Sequence, residues 1–205
     1  MSSDIKITYI NKTMNPDKPT IFLFAHNLVP KFDVLAHGIA WRVLARIGKG
    51  SSSEFIYPVS TTVRALWGDG HKTRSLEAET GKRYTVLEES GGIVLIPNGN
   101  ASHAQAIEIS SQVKVDGGIR AQLCKDGKVL LEKKALAYEQ KATFILHPKL
   151  YWGIAAEIRA GQDIGSAILN SDHFFEQDID GVSHAIVTLT GNTREGYRFV
   201  VENHY

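Results

Sequence analysis

The sequence predicts an all-β fold, read as an antiparallel two-sheet β-sandwich with at most one or two short helices, formed by residues 1–205 as a single domain. Three observations predict it. Apolar residues recur at every second position through most of the chain, the period of a strand with one face buried. Glycine, proline, asparagine and serine clusters interrupt these runs at short, regular intervals. One pair of runs is joined by Lys125-Asp126-Gly127-Lys128, and Asp-Gly suits a type I′ turn because both central residues need positive φ. A chain of 205 residues is long enough to bury a core without a metal or disulfide staple.

Taken in order, Ile5, Ile7 and Tyr9 alternate with Lys6 and Thr8, a half-buried strand. Thr20 to Phe24 is a short apolar run bounded by Pro19 and by His26-Asn27. Glu54 to Val59, Thr61 to Trp67, Arg83 to Leu87 and Ile93 to Ile96 follow, rich in Val, Ile, Thr, Phe and Tyr. Ser90-Gly91-Gly92 marks a turn between the last two. The hairpin pairs Ile119–Cys124 with Val129–Lys134. Ala185–Thr190 and Tyr197–Glu202 form a closing hairpin around Gly191-Asn192 and Gly196. These signals give about ten to twelve strands.

Two segments carry both periods. Leu35 to Ile47 has apolar residues at strand spacing and also at i, i+4 and i+8. Leu150 to Ile158 is similar. Gly38, Gly153 and the β-branched and aromatic content favour strand in both. Gly161 to Ser183 reads as a long connection with loop chemistry.

Lys plus Arg number 23 against 22 Asp plus Glu, and the basic residues are scattered. A net charge of +1 gives no field to gather nucleic acid or an anionic membrane, so nucleic acid is not expected as a partner. No apolar stretch reaches the roughly 20 residues of a membrane span, so no transmembrane segment is expected. The start, Met1-Ser2-Ser3-Asp4-Ile5-Lys6, lacks the pattern of a secretory signal, and the single cysteine, Cys124, implies no disulfide. The expected location is cytoplasmic.

Two places carry enough chemistry to be candidate sites. In Leu66-Trp67-Gly68-Asp69-Gly70-His71-Lys72 a strand runs into a glycine-rich turn. Trp67 offers a flat apolar face, and Asp69, His71 and Lys72 offer hydrogen bonds, a makeup suited to a sugar or protein contact. The competing reading is a tryptophan that closes the end of the core. In the stretch 171–184, Asp172, His173, Glu176, Asp178, Asp180 and His184 crowd carboxylates and imidazoles together. Such a set suits a divalent cation, Ca²⁺ for the oxygens or Zn²⁺ for the imidazoles, and is the one cofactor the chain suggests. Glu176-x-Asp178-x-Asp180-Gly181 resembles the opening of an EF-hand loop, but Val187 stands where the closing carboxylate belongs. The competing reading is a solvated acidic loop.

Nucleophile and phosphate-loop patterns are absent. Gly50-Ser51-Ser52-Ser53 lacks the G-x-S-x-G spacing, and Gly48-Lys49-Gly50-Ser51 separates Lys from Ser. Cys124, beside Lys125, reads as a half-buried structural thiol. Trp41 and Trp152 sit in apolar alternation and read as core. The expected function is a non-catalytic binding or assembly module for a small-molecule, glycan or protein ligand, with self-association into a homo-oligomer. The alternative is a metal-dependent enzyme using the stretch 172–184.

Overall fold

The computed structural model describes residues 3–14, 19–29, 38–155, 157–164 and 174–205. Among these the chain is all-β, with no α-helix and no helix long and apolar enough to cross a membrane. The strands are β1 (Ile5–Asn11), β2 (Thr20–Phe24), β3 (Arg42–Leu44), β4 (Ser52–Tyr57), β5 (Thr62–Trp67), β6 (His71–Lys72), β7 (Leu76–Glu77), β8 (Lys82–Glu89) and β9 (Gly92–Asn100). They continue with β10 (Ala106–Ser111), β11 (Ile119–Lys125), β12 (Lys128–Leu136), β13 (Lys141–Ile145), β14 (Lys149–Ala155), β15 (Phe175–Asp178), β16 (His184–Asn192) and β17 (Gly196–His204).

The strands form four sheets, which corrects the expected two. Sheet A has the order β17-β16-β1-β4, sheet B β15-β14-β2-β3, sheet C β12-β11-β5-β6 with β7 also on β5, and sheet D β13-β10-β8-β9. Nor is the pairing wholly antiparallel, since β1 runs parallel to β16 and β8 parallel to β10. The reason is physical. Alternation records which face of a strand is buried, whereas the number of sheets depends on hydrogen-bond partners far away in sequence.

The central pairs are nested. β1 pairs with β16, β2 with β14, β5 with β11 and β8 with β10, so the chain runs out through the four sheets and returns in reverse order. One core cluster draws on all four sheets, with Ile7 and Tyr9 from A, Leu23 and Trp152 from B, Val63 and Leu123 from C, and Val86 and Ile109 from D. Sheet B is buried on both faces. Ile21 and Leu23 enter that core, while Phe22 and Phe24 turn to a second cluster with Ala40, Tyr151, Ile158 and Ile164. This accounts for the unbroken apolar run of β2, the pattern of a strand covered on both sides.

The hairpin at Asp126-Gly127 forms as expected, with φ of 52° and 67° at the two turn residues. Leu150–Ala155 is strand, within β14. From the stretch 35–47, Arg42–Leu44 is strand and Ile39 makes a single bridge to Asp163, while 35–37 lie outside the described residues. The stretch 161–183 is not all loop, because Phe175–Asp178 forms β15 on the edge of sheet B. The strand count exceeds the expected one because β6, β7 and β15 are too short to show a period and because β10 and β13 are not among the runs read from the sequence.

Trp41 and Trp152 are fully buried, and each indole N–H has a partner: Trp41 donates to the Lys125 carbonyl at 2.9 Å and Trp152 to Gln177 Oε1 at 2.8 Å. Cys124 is free and buried, and burial raises its pKa, as for an inert structural thiol.

Candidate functional site

Beyond β2 the chain continues through Ala25, His26, Asn27 and Leu28 along the edge of sheet D. Asn27 makes this possible. Its side-chain amide donates to the Thr143 carbonyl at 2.9 Å and its Oδ1 accepts from the Ile145 N–H at 2.9 Å. The Leu28 N–H then reaches the Ile145 carbonyl at 3.1 Å. The buried amide thus serves two backbone groups of β13 and ties sheet B to sheet D.

This clamp sets His26, the residue before Asn27. Its ring lies face to face on Tyr151, with centroids 3.8 Å apart and planes 11° apart, and close to Phe24. Its Nε2 is buried and, among the described residues, without a hydrogen-bond partner. Burial lowers the His26 pKa, and the nearby Glu176 carboxylate works weakly against that, so the ring is neutral at pH 7.

Tyr151 lies opposite Phe24 on one side and Glu176 on the other. Its hydroxyl donates to Glu176 Oε2 at 2.9 Å, and Lys149 pairs with Oε1 of the same carboxylate. Burial and this hydrogen bond push the phenol up to about 12, so it stays protonated and donates. The bonds from Lys149 and Tyr151 hold the Glu176 carboxyl below its ordinary range. β15 alternates, and so Glu176 faces this group while Gln177 turns inward to Trp152.

His26, Leu28, His147, Lys149 and Tyr151 enclose a cavity of about 120 Å³. Two further depressions adjoin it through His147. One, about 320 Å³, is lined by Tyr57, Lys125, His147 and Asp180 among others; the second, about 310 Å³, by Thr61, Thr80, Gln105, Phe144 and His147 among others. The connection Leu146-His147-Pro148 between β13 and β14 is their common wall. It is held at one end, where the Ile179 N–H reaches the Pro148 carbonyl at 2.8 Å. Lys125 is buried over the Tyr57 ring and donates to the carbonyls of Pro58, Val59 and Ser60 at 2.6, 3.0 and 3.4 Å. Burial pulls its pKa down to about 8, and the Asp4 carboxylate works against that. A larger depression of about 780 Å³ borders Thr20, Ala45 and residues 157–162, where Gln162 Oε1 is taken up by the Arg159 N–H of its own loop.

The residues singled out from the sequence fall in several places. Trp67 ends β5 and His71 faces it across the Gly68-Asp69-Gly70 turn, the rings 6.0 Å apart and nearly parallel. Trp67 is half-buried against the main core, and Asp69, His71 and Lys72 are exposed. In the acidic stretch, Asp172 and His173 lie outside the described residues. Glu176 joins Lys149 and Tyr151. Asp178 accepts from the Asp180 N–H at 2.9 Å, and Asp180 lines the depression of about 320 Å³. His184 is in a different sheet, 3.0 Å from the Thr8 hydroxyl and stacked on His204. Among the described residues no three His, Cys, Asp or Glu side chains gather as metal ligands.

Sequence reading missed His26, His147, Lys149 and Tyr151. His26 served there as a strand boundary and Tyr151 as one aromatic in an ambiguous run. The local signal that could have found the site is the polar pair His26-Asn27 directly after an unbroken apolar strand.

Compared with known proteins, the chain matches no family model, no curated protein and no solved structure.

Proposed function

We propose that the chain is a non-catalytic binding module whose ligand is a neutral glycan, held in the cavity at His26 and Tyr151 and extending past His147. The observation that carries this reading is the convergence of three depressions on one exposed residue, His147, beside a buried imidazole nitrogen that has no partner among the described residues. The small cavity matches one ring or one substituent rather than a whole ligand, and the two adjoining depressions offer room for further units. Its charges cancel locally, since Lys149 is paired with Glu176. A polyhydroxylated ligand meets the Glu176 and Lys149 groups without bringing charge of its own. The Tyr151 hydroxyl, protonated and bound to a carboxylate, favours positioning over nucleophilic chemistry.

The test is a screen of short neutral oligosaccharides on an array, followed by titration calorimetry of any hit. Binding is expected, with affinity reduced about tenfold or more by His147→Ala and by Tyr151→Phe while the melting curve shows a folded protein. Absence of binding at millimolar sugar, or binding indifferent to both substitutions, overturns the reading.

A further inference from the structure

The strand β17 ends sheet A. On one side it pairs with β16 along its whole length, and on the other no strand among the described residues joins it. Proteins usually protect such an edge with proline, a bulge, lysines or short length. Other edges of this molecule show these devices: β9 contains Pro97, and β12 carries Lys133 and Lys134 and pairs irregularly with β11. β17 has none of them. It is nine residues long, Gly-Tyr-Arg-Phe-Val-Val-Glu-Asn-His, and its register with β16 runs without a shift. At its centre Val200 is 57% exposed.

The sequence of β17 is complementary to its own reverse. In an antiparallel pair related by a two-fold axis, residues equidistant from the axis face each other, and each such contact occurs twice. With the axis on Val200, Arg198 faces the partner's Glu202, the two Val200 side chains meet, and Phe199 faces the partner's Val201 on the other side of the sheet. Arg198 and Glu202 are both exposed, and among the described residues Arg198 has no carboxylate partner in its own chain. Moving the axis to Val201 sets Arg198 against the partner's His204. Moving it to Phe199 sets Arg198 against the partner's Val200. A parallel pairing in register sets like charges side by side. One register therefore satisfies both charges, and cross-strand charge pairs select register.

We propose that β17 pairs antiparallel with β17 of a second copy of this chain, centred on Val200, joining two A sheets into one continuous sheet. A contact limited to one strand edge is small, so the dimer is a weak one. The test is sedimentation equilibrium of the wild-type chain from micromolar to about millimolar concentration. The expected mass rises from 22.6 kDa towards twice that value. Arg198→Glu and Glu202→Arg each replace two attractive contacts by two repulsive ones, and each is expected to weaken association about tenfold or more. Both positions are exposed, and circular dichroism checks that each variant folds. An equimolar mixture of the two variants restores opposite charges at both contacts and is expected to form a heterodimer of wild-type affinity. A wild-type chain that stays at 22.6 kDa throughout, a dimer indifferent to both substitutions, or variants that dissociate but do not rescue each other overturns the proposal.

Discussion

His26 lies flat on Tyr151, its buried Nε2 unpartnered among the described residues, while the phenol below it is committed to Glu176. The imidazole is thus stabilised as an apolar ring and disfavoured as a cation. Its folded pKa is depressed below the ordinary 6.5, so at mildly acid pH the unfolded chain binds the proton better than the folded one. The stability associated with neutral His26 is complete above 6.5 and is lost as pH falls through the lower, folded value. His26→Phe keeps a ring on Tyr151 without the titrating nitrogen. Urea melts at several pH values are expected to show the variant gaining on the wild type as pH falls from about 7 to 5. Parallel curves across that range would remove the argument.

Glu108 provides a second pH dependence. It is wholly buried on β10, and Arg83, Lys141 and Ser102 converge on its carboxylate, the two cations at 2.9 and 2.7 Å. Burial acts to raise its pKa, but the hydrogen bonds from Lys141, Ser102 and Arg83 outweigh it and bring it to about 2. A depressed carboxylate stabilises the fold above its unfolded value of 4.5, and this is lost as pH falls towards 2. Solvent around Arg83 and Lys141 screens part of the effect, leaving about 2–3 kcal/mol. Glu108→Gln is expected to lose that amount at pH 7 and to close the gap with the wild type near pH 2 in denaturant melts. A gap that persists unchanged at low pH would assign the loss to packing.

Gly153 stands directly opposite Phe22 in sheet B, and a β-carbon at this position would land in the Phe22 ring. The ring covers the glycine, a known way to stabilise a glycine within a sheet. Gly153→Ala forces Phe22 out of its place in the second cluster and is expected to cost about 1–3 kcal/mol. A thermal melt measures it; an unchanged Tm would mean that the ring relocates freely.

Trp67 is the residue on which the sequence supported a core and a contact role alike. Half-buried and stacked on His71, it is expected to cost about 1–3 kcal/mol when changed to Ala, less than a full core truncation. A loss below about 0.5 kcal/mol, together with loss of a bound glycan, would transfer the ligand site to the β5–β6 turn.

What the sequence shows well is what neighbours in the chain decide. Asp126-Gly127 carries the backbone requirement of its turn in two residues. The alternation of Ile5, Ile7 and Tyr9 gives the buried face of β1. The short strand β15 was hidden because Phe175–Asp178 has too few residues for a period and lies among turn-forming types. The site was hidden for a different reason. His26, Tyr151 and Glu176 meet only because β14 lies between β2 and β15, and no spacing along the chain encodes that order. The acidic stretch shows the converse. Glu176 and His184 are close in sequence, yet the chain crosses from sheet B to sheet A between them.

The nesting of the four central strand pairs also bears on how the fold is reached. Arg83 and Glu108, beside each other in sheet D, are 25 residues apart; Arg64 and Gln122 in sheet C are 58 apart; Thr8 and His184 in sheet A are 176 apart. Loop-closure entropy grows with the logarithm of the loop, about 0.6 kcal/mol per doubling, so the outermost pair is the costliest to form first. Formed from the inside outward, each pair closes only the chain added since the last. High contact order places such a protein among slow folders, with times of roughly milliseconds to seconds or longer. In stopped-flow measurements Val86→Ala in β8 should then slow folding, while Ile7→Val in β1 should mainly speed unfolding.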